Sequence, residues 1–394
     1  MREGWEYKKL GDVCTIERGG SPRPIADYIT ESADGINWIK IGDAVEGSKY
    51  ILFTKEKIRP EGTKKSRFVH KGDVILSNSM SFGKPYILGI DGCIHDGWLV
   101  LHDNNNTFSK DYLYYVLSSP IMYSKFTQLA VGGVVNNLNS NIVREVVVAI
   151  PPLSTQLSIV SELDKINELI RLKKEQLKDY DNLAQSIFYE MFGDPVVNEK
   201  GWNVKKLGDV CEVSSFKRVL VEDVLEKGPV PFIRGTELSA ICKENKREYK
   251  MYITMEHYER VKNISGVPNV GDLLIPSINA EGLVWVVDTP EPMYYKDGRV
   301  LWVHVDQNSI SPIALQRILN NLIKDNYSKI TNGAVFAELN LSILRSFPII
   351  LPPLSIQNAF ANKINLIEKQ KAEIQSTIAD LETLLASRMQ YWFD

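Results

Sequence analysis

The chain has 394 residues, 44% of them apolar and 24% charged, the make-up of a globular protein rather than a disordered or fibrous one. Its length suffices for two or three domains, each with its own core, and 46 basic against 49 acidic residues leave a net charge of −3, which excludes a globally basic nucleic-acid binder and leaves any such contact to local patches. The start, MREGWEYKKL, lacks the apolar stretch of a signal peptide, no apolar run approaches the ~20 residues of a membrane span, and four scattered cysteines (Cys14, Cys93, Cys211, Cys242) without a CxxC pair argue against a zinc site and for a reducing, cytoplasmic setting.

Taken in chain order, the sequence says the same thing twice. Trp5, Lys8, Lys9, Leu10, Gly11, Asp12, Val13 and Cys14 return as Trp202, Lys205, Lys206, Leu207, Gly208, Asp209, Val210 and Cys211. Gly72-Asp73-Val74 returns as Gly271-Asp272-Leu273, Leu138-Asn139 with Arg144 as Leu339-Asn340 with Arg345, and Pro151-Pro152-Leu153-Ser154 with Gln156 as Pro352-Pro353-Leu354-Ser355 with Gln357. Four anchors in one order, offset by 197 to 201 residues, identify a tandem duplication. Four segments follow: a module over 1–153, a helix over 154–193, a second module over 194–353 and a second helix over 354–394.

The modules read as mixed α/β. Apolar, β-branched runs at 73–76, 98–101 and 146–150 have strand character, residues 111–128 and 312–330 carry helical spacing, and the Gly/Pro/Asn-rich stretches 19–24, 132–141 and 263–269 read as loops. After each Pro-Pro-Leu the character changes: neither proline nor glycine occurs from 154 to 192 or from 355 to 393. Ile159, Leu163, Ile166, Ile170, Leu177 and Ile187 fall on two rows of seven-residue spacing, and so do Phe360, Ile364, Ile367, Ile374, Ile378, Leu381 and Leu385. These are the a and d positions of a coiled coil, interrupted by Lys173 in the first helix and by Lys371 and Arg388 in the second. Ser154 and Ser355 stand where an N-cap would, and each helix would run ~58 Å. Matched heptads of equal length predict that the helices pair antiparallel, one module at each end of the rod.

No catalytic signature is present: no phosphate loop, no GxGxxG after a strand, no HExxH, no GxSxG elbow. The five histidines are dispersed, and no His, Cys, Asp or Glu spacing marks a metal. Duplication would copy a catalytic group, yet the repeated polar residues (Lys8/Lys205, Asp12/Asp209, Asp73/Asp272, Asn139/Asn340, Arg144/Arg345, Gln156/Gln357) sit at turns and element ends, where structural roles are expected. The remaining signal is local charge. Lys55, Lys57, Arg59, Lys64, Lys65, Arg67 and Lys71 lie within 17 residues beside only Glu56 and Glu61, enough to neutralise several phosphates. In the second module Lys217, Arg218, Arg234, Lys243, Lys246 and Arg247 are the candidates, the last three diluted by neighbouring glutamates. Arg23, Lys84, Ser79 and Asn137 join the list from polar loops able to donate to base edges. The framework repeats while the clusters differ, which describes two copies of one reader tuned to different targets.

This layout resembles the specificity subunit of Type I restriction-modification systems. The residues that carry the likeness are the two Trp…Leu-Gly-Asp openings, Gly20-Ser21-Pro22 with Trp38-Ile39-Lys40-Ile41-Gly42-Asp43, both Pro-Pro-Leu-x-x-Gln motifs, and the helix ends Met191-Phe192-Gly193-Asp194 and Trp392-Phe393-Asp394. Thr155-Gln156 and Ile356-Gln357 replace the Glu-Gln usual in that family. The resemblance implies a non-catalytic chain with two target-recognition domains, each reading half of a split, asymmetric site in double-stranded DNA, and a helix pair that sets the gap and docks two methyltransferase subunits. It implies that S-adenosylmethionine, ATP and magnesium belong to partner methyltransferase and restriction subunits, and that no membrane is involved. Two half-sites one DNA turn apart, ~34–36 Å, present the same groove face to both readers. The other classes to separate are an enzyme acting alone, such as a fused methyltransferase, and a structural coiled-coil adaptor with two binding modules.

Overall fold

The two ends of each module are held on one short ladder. In the computed structural model, which describes residues 2–45, 47–78, 82–103, 105–130, 138–330 and 338–394, strand Glu6–Lys9 pairs antiparallel with Val147–Ile150, and Asn203–Lys206 with Pro348–Leu351. The chain divides into two compact units, Met1–Glu175 with Gln375–Asp394, and Gln176–Ile374. Each holds one module and a stretch of both long helices, so the units cut across chain order.

In the first unit a five-stranded sheet runs in the order Cys14–Arg18, Trp98–Asp103, Val74–Ser77, Pro85–Leu88, Tyr50–Ile51, antiparallel except for its last pair. Alternation along the strands builds two cores at once. Leu76, Leu99 and Leu101 join Tyr112, Leu113, Val116 and Phe126 of two helices, Lys110–Ser118 and Pro120–Ala130. Ile75, Trp98 and Val100 face the other way, with Ile39, Val69 and Ile94 of a second five-stranded sheet ordered Ile29–Thr30, Glu56–Ile58, Ile36–Ile39, Gly92–Ile94, Arg67–Val69. Burial on both faces is why these central strands read as unbroken apolar runs. The single helix expected over 111–128 is two, because Pro120 has no N–H to continue the ladder and starts a new helix after Ser119.

The second unit repeats the first sheet with four strands, Glu212–Ser215, Val300–His304, Leu273–Pro276 and Trp285–Val286, all antiparallel. Leu273, Ile275, Leu301 and Val303 pack with Ala314, Leu315, Ile318 and Leu319 of helix Pro312–Ile330. On the other face Leu274, Val300 and Trp302 meet a smaller sheet of Tyr252–Ile253, Val230–Ile233 and Tyr294–Tyr295, and the helices Gly235–Glu244 and Met255–Ser265. The loop expected from Asn263 starts later, at Gly266, whose φ of 75° ends the helix.

The long helices span Leu153–Phe192 and Leu354–Phe393. Neither Ser154 nor Ser355 is the N-cap. The carbonyl of Pro152 accepts from the N–H groups of Thr155 (2.9 Å) and Gln156 (3.0 Å), and that of Pro353 from Ile356 (2.9 Å) and Gln357 (3.2 Å), so the serines lie inside the first turn. The second proline of each motif takes the cap position, where its own missing N–H costs nothing. Of the heptad positions, Ile159, Leu163, Ile166, Ile170, Phe360, Ile364, Ile367, Ile374 and Ile378 are buried, and Leu177, Ile187, Leu381 and Leu385 are half-buried. Leucines off the rows (Leu157, Leu169, Leu172, Leu183, Leu366, Leu384) are exposed. Within the first unit Glu162 pairs with Arg388 and Lys174 with Glu382 (2.8 Å). Within the second, Asp181 pairs with Lys371 (2.8 Å), and the rings of Phe192 and Phe360 lie 4.8 Å apart. In each unit, later residues of one helix meet earlier residues of the other, so the paired segments are antiparallel.

Candidate nucleic-acid interface

Most of the repeated polar residues are consumed in holding the modules. Arg144 donates from its guanidinium to the Ile16 carbonyl at 2.8 Å, and Arg345 likewise to Val213. Gly11 and Gly208 lie under these arginines: a Cβ at Gly11 would stand 2.8 Å from Arg144 Cβ, and one at Gly208 3.0 Å from Arg345 Cβ. Asn139 and Asn340 cap short helices by accepting from Ile142 (3.0 Å) and Ile343 (2.9 Å). Asp73 and Asp272 accept from the N–H groups of His70 and Asn269, each at 2.8 Å, closing turns whose Gly72 and Gly271 have φ of 92° and 98°. Gln156 accepts from Ser109 N (2.8 Å) and donates to the carbonyls of Thr107 (2.9 Å) and Pro151 (3.0 Å). Gln357 accepts from Ser311 N (2.9 Å) and donates to Pro352 (2.7 Å). Both glutamines are buried, and their amides tie the long helices to their modules.

With these residues occupied, the exposed cations are what a ligand could meet. In the first module the loop over 19–28 lies against the turn Pro60–Lys65. Gly62 packs under Tyr28 and Pro22, Arg59 N donates to the Tyr28 carbonyl at 2.8 Å, and Lys65 Nζ donates to Tyr28 Oη at 2.7 Å. Arg23, Arg59, Lys64 and Lys65 flank these contacts along the chain, and all four are exposed. Arg23 has only a loose contact, 3.8 Å, with Asp96. The Ser21 hydroxyl, donating to Asp96 at 2.7 Å, holds that carboxyl below the ordinary carboxylate range. Lys55, exposed, and Lys57, half-buried on strand Glu56–Ile58, make no ion pair among the described residues, and neither do Arg59 and Lys64. Arg67 is engaged by Glu17 at 3.2 Å, and Lys84 is exposed. Beside Arg23 a cleft of about 740 Å³ opens between Pro22, Pro24, Ile29 and Trp38, with Lys40 paired to Glu56 at its edge.

The second module spends its cations differently. Lys243 pairs with Glu281, Lys246 with Glu248 at 3.3 Å, Arg247 with Asp288 at 2.6 Å, and Arg234 with Glu237 three residues on. Lys217 and Arg218 are exposed and unpaired among the described residues, in a loop pinned by Tyr294, whose hydroxyl accepts from Lys217 N at 2.9 Å. Ser79 and Asn137 lie outside the described residues, as do most of the loop over 132–141 and part of 77–81. The residues that border them, Asn78 and Leu138, are joined by a 2.9 Å backbone hydrogen bond, and Ser277 and Leu339 repeat that bond at 2.8 Å. The sequence does not single out Tyr28, which Gly62 and Lys65 contact in the first module; one aromatic residue in a loop gives no signal of what packs on it.

The four cysteines are not activated. Burial pushes the thiols of Cys14 and Cys242 up to about 12 and those of Cys93 and Cys211 to about 11, so no thiolate is available at neutral pH. Among the described residues no three His, Cys, Asp or Glu side chains are gathered to hold a metal, and no helix is long and apolar enough to cross a membrane.

Comparison with known proteins gives one answer. The family model for the Type I restriction modification DNA specificity domain matches twice, over residues 2–179 and 199–382. The Type I restriction enzyme MjaIX specificity subunit of Methanocaldococcus jannaschii is 25% identical across 64% of this chain and 64% of its own length. The MjaVIII specificity subunit of the same organism is 21% identical across 97% of this chain and 92% of its own. Among solved structures, a chain described with complex assembly and conformational transition of the type I R-M system superposes with a TM-score of 0.66 at 20% identity, covering 99% of this chain and 97% of that one. The S subunit of the Type-I restriction-modification system from M. genitalium gives 0.56 at 14% identity, covering 99% and 96%. At such identities the structural likeness speaks for the fold.

Proposed function

This chain belongs to the family of Type I restriction modification DNA specificity domains, and from that premise we propose that it is the DNA-specificity subunit of a Type I restriction-modification complex. Each module reads one half of a split site in double-stranded DNA. The paired helices fix the spacing and dock two methyltransferase subunits, and restriction subunits join that assembly. Methyl transfer and cleavage belong to those partners, and so do S-adenosylmethionine, ATP and magnesium. The setting that fits this role is the cytoplasm.

One observation carries the reading: two modules share a framework down to single hydrogen bonds, yet differ in the second sheet and in the cations they leave unpaired. A constant scaffold with variable faces is what two readers of unlike half-sites require. The first module's surface of Arg23, Arg59, Lys64 and Lys65, with Lys55 and Lys57 beside it, is the phosphate-contacting patch we assign to it, and Lys217 with Arg218 is the counterpart in the second.

The test is to express the chain with and without its neighbouring methyltransferase subunit and map methylated adenines across the host genome. One bipartite motif with two fixed halves, present only when both proteins are made, is expected. Methylation by this chain alone, or a motif that survives removal of either module's basic surface, would overturn the assignment.

A further inference from the structure

The tandem repeat creates a choice that the helices must settle. Each long helix has a counterpart of equal length and matching heptads in the same chain, so pairing with its own copy from another molecule competes with pairing to the other repeat unless something forbids it. Apolar heptads alone do not forbid it, because both helices carry them. The sharpest discrimination lies in the polar positions.

One cluster in the first unit is asymmetric between the repeats. Glu162 of the first helix receives three hydrogen bonds from the second: one each from Arg388 Nε and Nη2 (the latter 3.1 Å), and one from Trp392 Nε1 at 3.1 Å. All three residues are only partly exposed. Moving each residue to the same place in the other repeat, 201 residues away, changes its chemistry: Glu162 corresponds to Lys363, Arg388 to Ile187 and Trp392 to Met191.

The consequence follows from the antiparallel register. In a pair of two first helices, Glu162 of one copy would face Ile187 and Met191 of the other. Neither has an N–H or O–H to donate in its side chain, so a half-buried carboxylate would be left without any of its present partners. In a pair of two second helices, Arg388 would face Lys363, and like charges would meet. Because a self-paired dimer is twofold symmetric, each mismatch would occur twice. The native pairing avoids both.

We propose that the Glu162–Arg388–Trp392 clasp, with Lys363 as its opposite in the repeat, makes each helix select the other repeat and reject its own copy. The partner this seam fits is therefore the non-identical half of a duplicated chain. Neighbouring apolar positions point the same way: Ala184 is buried where its counterpart is Leu385, and Phe188 where its counterpart is Met389, so the two helix ends are not interchangeable in shape either. This selection does not depend on what the modules read.

The full chain provides the test. Equal amounts of two differently tagged copies are unfolded together in urea and refolded by dilution, and particles carrying both tags are captured and weighed by native mass spectrometry. Lys363→Glu changes an exposed position and turns both second-helix encounters from repulsive to attractive. Two-tag dimer is expected to rise about fivefold or more over the unsubstituted chain at ~50 mM salt, and to lose most of that gain at ~0.5 M. No rise, with an unchanged melting temperature, would overturn the proposal, and so would a rise indifferent to salt. The double change Ile187→Arg with Met191→Trp gives the first helix the donors it lacks; an unaltered dimer fraction in that variant, refolded to native secondary structure, would overturn it equally.

Discussion

The two modules are equal in what holds them and unequal in what they display. Arg144 and Arg345 reach the same carbonyl position, Gln156 and Gln357 clamp the same helix start, and Asn139 and Asn340 cap the same short helix. Beyond the first sheet they part. The first module builds a second sheet of five strands, while the second module builds one of three strands and adds the helices Gly235–Glu244 and Met255–Ser265. Charge follows the divergence: Lys55, Lys57, Arg59 and Lys64 have no carboxylate partner among the described residues, whereas Lys243, Lys246 and Arg247 each have one. A duplicated scaffold keeps the residues whose loss would unfold it and lets the rest drift toward separate ligands.

If the framework is common to both, damaging it should cost the same on either side. Gly11→Val and Gly208→Val each drive a branched side chain into the Cβ of an arginine that is itself fixed by a backbone carbonyl. Each should lower stability by about 1–3 kcal/mol, with the two values agreeing to within about 1 kcal/mol, measured by urea unfolding. Values several-fold apart would mean that the modules only look alike.

The displayed surfaces should behave oppositely. Replacing Arg59, Lys64 and Lys65 by Ala should weaken DNA binding roughly tenfold and flatten the log–log salt slope by up to about 3, near 0.9 for each phosphate no longer neutralised. Replacing Lys243, Lys246 and Arg247 by Ala should change that slope by less than about 1, because those cations already neutralise carboxylates of their own module. Fluorescence anisotropy on one duplex between about 50 and 200 mM salt would separate the two triples. Equal slopes would erase the distinction.

What the sequence discloses of this protein is what repeats or has a period. The duplication, the long helices and their heptad rows all follow from spacing, and so do strands such as Val74–Ser77 and Trp98–Asp103. The misreadings are local. Serine is the commoner N-cap, yet in both helices the preceding proline supplies the capping carbonyl, and a proline inside the 111–128 pattern divides it. The burial of Phe188 and Phe192 is not legible in the heptads because they stand next to those rows and not on them; their rings fill against Phe360 and the second module's core. The candidate interface is the least legible part. The sequence points to the adjacent glutamates as what dilutes Lys243 and Arg247, yet the carboxylates that pair with them are Glu281, 38 residues away, and Asp288, 41 residues away. For these two cations charge is local in sequence, but neutralisation is not.

The smallest effect tests the asymmetry of the clasp through pH. The Arg388 guanidinium, and with it the Trp392 N–H, holds the Glu162 carboxyl below its ordinary value of 4.5. A carboxyl whose folded value is depressed contributes stability above its unfolded value, and that contribution fades as pH falls through the folded one. The unsubstituted chain should therefore melt above Glu162→Gln at pH 7, by roughly 2 °C for a unit of this size, and the gap should close as pH falls below 4.5. Comparing the two chains at each pH cancels the titration of every other carboxylate. The second unit has Lys363 and Ile187 at the corresponding places and no carboxylate to titrate, so Lys363→Gln should leave no pH-dependent gap over that range. A gap for Glu162→Gln that is constant from pH 7 to pH 3 would show that the clasp holds by shape rather than by charge.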